Sequence, residues 1–134
     1  MAYAQWVEIK VYAENMKLTV RNVSLKWGKF YRQGNKDDEI SKSSIDGMII
    51  SSNNPGIICA CGRSDASSGT EGSFELYNGN DYVGKYYWDC PWGSKNNKSV
   101  WSPTTSVNYK TSIEGGSLNS GAIGNVYITC IKVK

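Results

Sequence analysis

The feature that most restricts this chain is the period of its apolar side chains, which is two along every patterned stretch and nowhere 3.6. The run Trp6-Val7-Glu8-Ile9-Lys10-Val11-Tyr12 sets Val7, Ile9 and Val11 on one face and Glu8 and Lys10 on the other. That is the pattern of a half-buried strand. Residues 18–27 alternate in the same way, with a slip of phase near Asn22 that predicts a β-bulge. Residues 48–50 and 57–61 are short apolar runs bounded by turn residues. Residues 72–77 and 82–88 flank Asn78-Gly79-Asn80-Asp81, which reads as a hairpin. Residues 125–133 form a long closing strand. The length of 134 residues suits one domain, and no linker-like block or internal repeat divides it. The expected architecture is a single domain over residues 1–134, an all-β antiparallel sandwich with little or no helix. Strand alternation on its own favours the core for Trp6 and Trp27.

The residue inventory also excludes function classes. The chain has no histidine, so Ser-His-Asp triads, Cys-His pairs and HExxH zinc sites are ruled out. Asp65, Glu71, Glu75 and Asp89 are the carboxylates on offer for glycoside hydrolysis, and alternation puts Glu71, Ser73 and Glu75 on one strand face. No set of residues supplies a base, a nucleophile and an orienting group together, so no catalytic residue is assigned and no enzyme is expected. The net charge is +3, from 15 Lys and Arg against 12 Asp and Glu, which gives no footing for nucleic acid. No apolar run approaches the ~18 residues of a membrane-spanning helix. The opening Met1-Ala2-Tyr3-Ala4-Gln5-Trp6 lacks the basic and apolar regions of a secretory signal.

The four cysteines are Cys59, Cys61, Cys90 and Cys130. Cys59 and Cys61 fall on one face of a strand, and C-x-C is not the CxxC spacing of common zinc or redox sites. No metal or other cofactor is expected. Buried free thiols are the favoured reading, with one disulfide open if the protein reaches an oxidising compartment.

Against this background the aromatic set stands out, with five Trp, nine Tyr and two Phe. Two of the indoles lie in Trp88-Asp89-Cys90-Pro91-Trp92-Gly93-Ser94-Lys95, where Pro91 and Gly93 bar a regular central strand. The segment reads as a loop at a strand end, and loops lie at the surface. An exposed indole needs local packing or a partner. In one reading Trp88 and Trp92 cover the end of the sandwich. In the other, rings that hold quaternary ammonium groups by cation–π attraction and a Lys95 that takes an anion together match a zwitterionic phospholipid headgroup. Exposed Trp on a sandwich also stacks on sugars, so a carbohydrate-binding module is the alternative. The Gly-rich stretch of residues 60–72 can cradle an anion through backbone N–H groups, although it lacks P-loop spacing. Within it, Arg63 and Asp65 are placed to clamp a local turn.

These segments resemble the aegerolysin family. The run from Trp88 to Lys95 looks like the family signature WDCPWGSK. Ala2-Tyr3-Ala4-Gln5-Trp6-Val7 resembles the family's opening, and Ser24-Leu25-Lys26-Trp27-Gly28-Lys29 with Gly34-Asn35-Lys36-Asp37 fits its second strand and the loop after it. Cys61-Gly62-Arg63-Ser64-Asp65-Ala66 is similar to its CGRSDA loop, and Ser120-Gly121-Ala122-Ile123-Gly124 to its C-terminal turn. The motifs keep the family's order and spacing over nearly the whole chain.

The resemblance implies an actinoporin-like β-sandwich. It implies binding to membrane sphingolipids, either sphingomyelin with cholesterol or ceramide phosphoethanolamine. It also implies a MACPF-domain partner that inserts into the membrane while the small protein recognises lipid and oligomerises there. A self-sufficient haemolysin is the other option. Release without a classical signal peptide, or a cytoplasmic stay until release, is expected. The headgroup residues that carry over are Trp6, Trp27, Trp92 and Lys95, with Lys95 on the lipid phosphate. Arg63, Asp65, Ser68, Trp88 and Asp89 support the surrounding loops. Some members have Glu where this chain has Ser68, just before Gly69, and the difference favours ceramide phosphoethanolamine at least as much as sphingomyelin with cholesterol.

Overall fold

The computed structural model describes residues 2–134. The strands are β1 (Trp6–Glu14), β2 (Leu18–Trp27), β3 (Lys29–Arg32), β4 (Asn35–Ile40), β5 (Ile49–Ile50), β6 (Gly56–Cys61), β7 (Thr70–Asn78), β8 (Asp81–Cys90), β9 (Lys98–Pro103), β10 (Tyr109–Gly115) and β11 (Gly124–Lys132). Among the described residues the one helical piece is a 3-10 turn at Lys42–Ser44. The strands make two sheets, a six-stranded one ordered β10-β11-β1-β6-β3-β4 and a five-stranded one ordered β5-β2-β7-β8-β9. Their inward faces close a sandwich. One pair departs from the antiparallel expectation, since β1 and β11 run parallel. Parallel neighbours need a long crossover, and the whole chain between these two strands provides it.

The core follows from the alternation. Val7, Ile9 and Val11 turn inward and meet Ile58, Val126 and Ile128, while the opposite sheet supplies Leu18, Val20, Phe74, Leu76, Tyr86 and Trp88. Burying one side chain of this size contributes roughly 1.5–3 kcal/mol. Trp88 lies fully inside. Its ring centroid is 6.2 Å from Phe30 and 6.1 Å from Tyr86, and its Nε1 donates to Thr70 Oγ1 at 3.0 Å. The signature segment is therefore half strand, because β8 runs to Cys90 and the loop starts only at Pro91. All four cysteines are free and buried. Burial pushes the Cys90 thiol up to about 11 and Cys59 and Cys130 up to about 12, so they stay neutral.

Two irregularities in β2 matter. The expected slip is a bulge between Arg21 and Ser24 against β7, with Asn22 at φ 54°, a left-handed conformation that Asn tolerates. A second shift lies between Leu25, which faces Gly72, and Trp27, which faces Glu71. Lys26 is the extra residue. In an unbroken strand Trp27 would share the inward face of Leu25, and the bulge turns it outward. The core placement that alternation favoured for Trp27 is thus overturned. It is overturned for Trp6 as well. That residue shares the outer face of the six-stranded sheet with Glu8 and packs on Tyr31, Cys59 and Cys61.

Candidate functional site

The outward bulge completes a row across one end of the five-stranded sheet. Trp27 on β2 faces Glu71 on β7, Glu71 faces Asp89 on β8, and Asp89 faces Lys98 on β9. Two loops rise over the row. One precedes β7 and ends at Gly69, where a Cβ would fall 1.8 Å from the Cys90 carbonyl oxygen. Only glycine lets that loop lie so close to the end of β8. The other follows β8. Pro91 has no N–H to continue the ladder, Gly93 takes φ 92°, and the loop delivers Trp92 and Lys95. Row and loops enclose a cleft of about 460 Å³ lined by Trp27, Ser68, Gly69, Glu71, Asp89, Trp92, Lys95 and Lys98.

Its electrostatics are divided. Glu71 and Asp89 are like charges directly opposite each other, an unfavourable pairing in a sheet. Burial first, and the Glu71 carboxylate second, raise Asp89 above its usual carboxylate range, while Lys98, Lys26 and Lys95 pull it back. Tyr87 donates to Glu71 Oε2 at 2.5 Å. Burial and that bond hold the phenol well above its usual value. Among the described residues, neither the Lys95 nor the Lys98 ammonium forms a hydrogen bond or an ion pair. At the mouth, Trp27 is 50% and Trp92 42% exposed. The cleft thus presents two indole faces, two unpaired ammonium groups and a carboxylate pair within one concavity. A ligand that carries both an anion and a cation can satisfy all three.

The structure brings together Trp27, Ser68, Asp89, Trp92 and Lys95. It leaves Trp6 in a separate cleft of about 420 Å³ with Tyr3, Glu8, Tyr31 and Lys36. Trp88 lies beneath the site, in the core. The Arg63–Asp65 clamp does not form. Arg63 instead makes a bidentate pair with Glu39, with both N–O distances at 2.9 Å, because the guanidinium fork fits a carboxylate on the edge strand β4. Asp65 stays exposed on the loop. Sequence reasoning missed Lys98, and it treated Glu71 only as a strand-face carboxylate. The fact that would have placed both is the register of β7, β8 and β9, which no local pattern reveals.

Comparison with known proteins bears on this geometry. The model of the family described as Aegerolysin matches residues 4–133. Ostreolysin A6 of Pleurotus ostreatus is 42% identical over 138 residues, covering 98% of each chain. Asp-hemolysin of Aspergillus fumigatus is 42% identical over 127 residues, covering 93% of this chain and 91% of its own. The crystal structure of IP-1A from Alcaligenes faecalis superposes with a TM-score of 0.93 at 47% identity, covering 99% of this chain and 94% of that one.

Proposed function

The chain belongs to the aegerolysin family, and from that premise we propose that it is a lipid-binding, cytolysin-related protein whose cleft takes the phosphorylated amine headgroup of a membrane sphingolipid. One observation carries the reading. The unpaired Lys95 ammonium lines one cleft together with two half-exposed indoles and a carboxylate pair. Lys95 takes the phosphate, a charged hydrogen bond of roughly 1.5–3 kcal/mol. The ammonium end turns to Glu71 and Asp89 and to the indole faces, where cation–π attraction adds about 0.5–2 kcal/mol. Trp27 and Trp92 rest at the membrane plane, where an apolar ring and an N–H are both served.

Ceramide phosphoethanolamine and sphingomyelin with cholesterol are the candidate ligands. A primary ammonium donates hydrogen bonds to carboxylates, which a trimethylated one cannot do. Ser68 puts no further charge at the rim, so ceramide phosphoethanolamine is the better fit. The protein acts as a binder and not as an enzyme, at the surface of the target membrane. Its described strands are all paired within the sandwich, so a MACPF-domain partner does the inserting.

The test is co-sedimentation with vesicles of phosphatidylcholine–cholesterol, sphingomyelin–cholesterol and ceramide phosphoethanolamine–cholesterol. Wild type is expected to bind a sphingolipid set, and a Trp92→Ala, Lys95→Ala double variant to lose it. Retention on immobilised glycans with no vesicle binding would overturn the lipid reading. Dye release by this chain alone would overturn the need for a partner.

A further inference from the structure

We infer that the loop at residues 117–121 is a second membrane contact, docked beside the headgroup cleft, with Leu118 entering the acyl boundary of the bilayer. The inference rests on the membrane-surface reading above and extends it to a part of the chain outside the cleft.

Leu118 is the one large apolar side chain in Gly116-Ser117-Leu118-Asn119-Ser120-Gly121 and is 58% exposed. Exposure alone says little, because single apolar residues are common on surfaces. Val107, at 78%, is more exposed still. The distinction lies in how the two residues are held. Asn97 is only 5% exposed. Its Nδ2 donates to the carbonyls of Ser117 at 3.0 Å, Asn119 at 2.7 Å and Gly121 at 3.0 Å. Its own N–H donates to the Leu118 carbonyl at 3.0 Å. Carbonyls across the loop therefore converge on one buried asparagine. Three acceptors around Nδ2 fix the amide's orientation and leave Oδ1 buried without a partner.

The bonds that pin the loop also fix its location. Asn97 follows Asn96, which lines the cleft, in the segment that carries Trp92 and Lys95. Cys90, at the end of β8, donates from Sγ to the Gly121 carbonyl at 3.2 Å. The Leu118 loop and the lip of the cleft thus form one body. A lipid held in the cleft sets the bilayer plane against that lip. Val107 lies in the loop after Pro103, and Pro103 pairs with Gly84 at the far end of the sheet from the Asp89–Lys98 pair.

The experiment uses the full chain with a polarity-sensitive thiol-reactive fluorophore at Leu118→Cys, and separately at Val107→Cys. The native thiols are buried, so the new one takes the label. With ceramide phosphoethanolamine–cholesterol or sphingomyelin–cholesterol vesicles, the label at 118 is expected to shift to shorter wavelength and to be quenched by acyl-chain quenchers, while the label at 107 stays water-like. Unlabelled Leu118→Asn is expected to weaken binding about 3- to 10-fold, in line with loss of part of one leucine's burial, with the preference between lipids unchanged. A water-like label at 118 on protein that sediments with vesicles overturns this inference and leaves the headgroup reading intact. Failure of wild type to sediment with any sphingolipid vesicle overturns both.

Discussion

Two clefts of similar size lie on the outer faces of the sandwich, and both are built from Trp, Lys and carboxylates. In the Trp6 cleft the chain has already satisfied its own chemistry. Lys36 stands 5.1 Å above the Trp6 ring and donates to the Tyr3 carbonyl at 2.8 Å. Lys29 donates to the Tyr3 hydroxyl at 2.7 Å, and that hydroxyl donates to Asp37 at 2.9 Å. Burial lowers the pKa of Lys36, so its ammonium is partly desolvated before any ligand arrives. In the Trp27–Trp92 cleft neither indole carries a cation of the chain's own, and Lys95 and Lys98 are unpaired among the described residues. The residue types match and the occupancy differs. An aromatic face already filled by a lysine works as a fastener, and one left open is available to a ligand.

The comparison can be broken at several points. The largest effect is expected from charge reversal. Lys95→Glu should weaken sphingolipid-vesicle binding by at least about 10-fold, the equivalent of one charged hydrogen bond, while Lys36→Glu changes it by less than about 2-fold. Equal losses in co-sedimentation would make the two clefts equivalent. Stability should divide the opposite way. Trp6→Ala should cost about 1–3 kcal/mol in urea unfolding, and Trp92→Ala less than about 0.5 kcal/mol.

Acidity sharpens the ligand side. Asp89 titrates above the usual carboxylate range, so it gains its proton early as pH falls. Vesicle affinity through an ammonium should then drop by a factor of about 2–5, the scale of one solvent-screened ion pair. Asp89→Asn should flatten that pH profile. For folding the sign reverses. A group whose folded pKa is raised favours the folded state more as pH falls through that pKa, down to its unfolded value, so the variant should lose this acid-side gain in stability. The smallest effect belongs to Glu39. The Arg63 hydrogen bond holds its carboxyl below the usual range, so its contribution is present above the unfolded pKa and fades as pH falls through the folded one. The pair is about half exposed, and Glu39→Gln should cost less than about 1 kcal/mol.

How much of this was legible in the sequence depended on where each strand sits. β1, β2, β7, β8 and β11 lie inside their sheets and announce themselves by alternating burial. The strands that went unread are instructive. β4, β9 and β10 are sheet edges, and Asn35-Lys36-Asp37-Asp38-Glu39-Ile40 shows why. Edges are kept charged to discourage pairing with other chains, and the charge erases the apolar period that marks a strand. β3 was lost with its hairpin partner β4. At the site, loop chemistry pointed to Trp92 and Lys95, and strand logic failed at Trp27 because one extra residue, Lys26, turns that indole to the other face. Glu71, Asp89 and Lys98 belong together only through strand register, a long-range property that no window of sequence contains.

The parallel pairing of β1 with β11 also has a consequence in time. During synthesis β1 waits for β11. Until residues 124–132 have been synthesised, β1 has β6 on one side and a bare edge on the other, and the sheet cannot close. Contacts this distant in sequence make folding slow, and they make closure of the sheet conditional on β11. A chain shortened by its last strand should stay open to protease while the full chain resists. The order of synthesis thus acts as an inspection, because only a chain that already carries β11 can close this sheet.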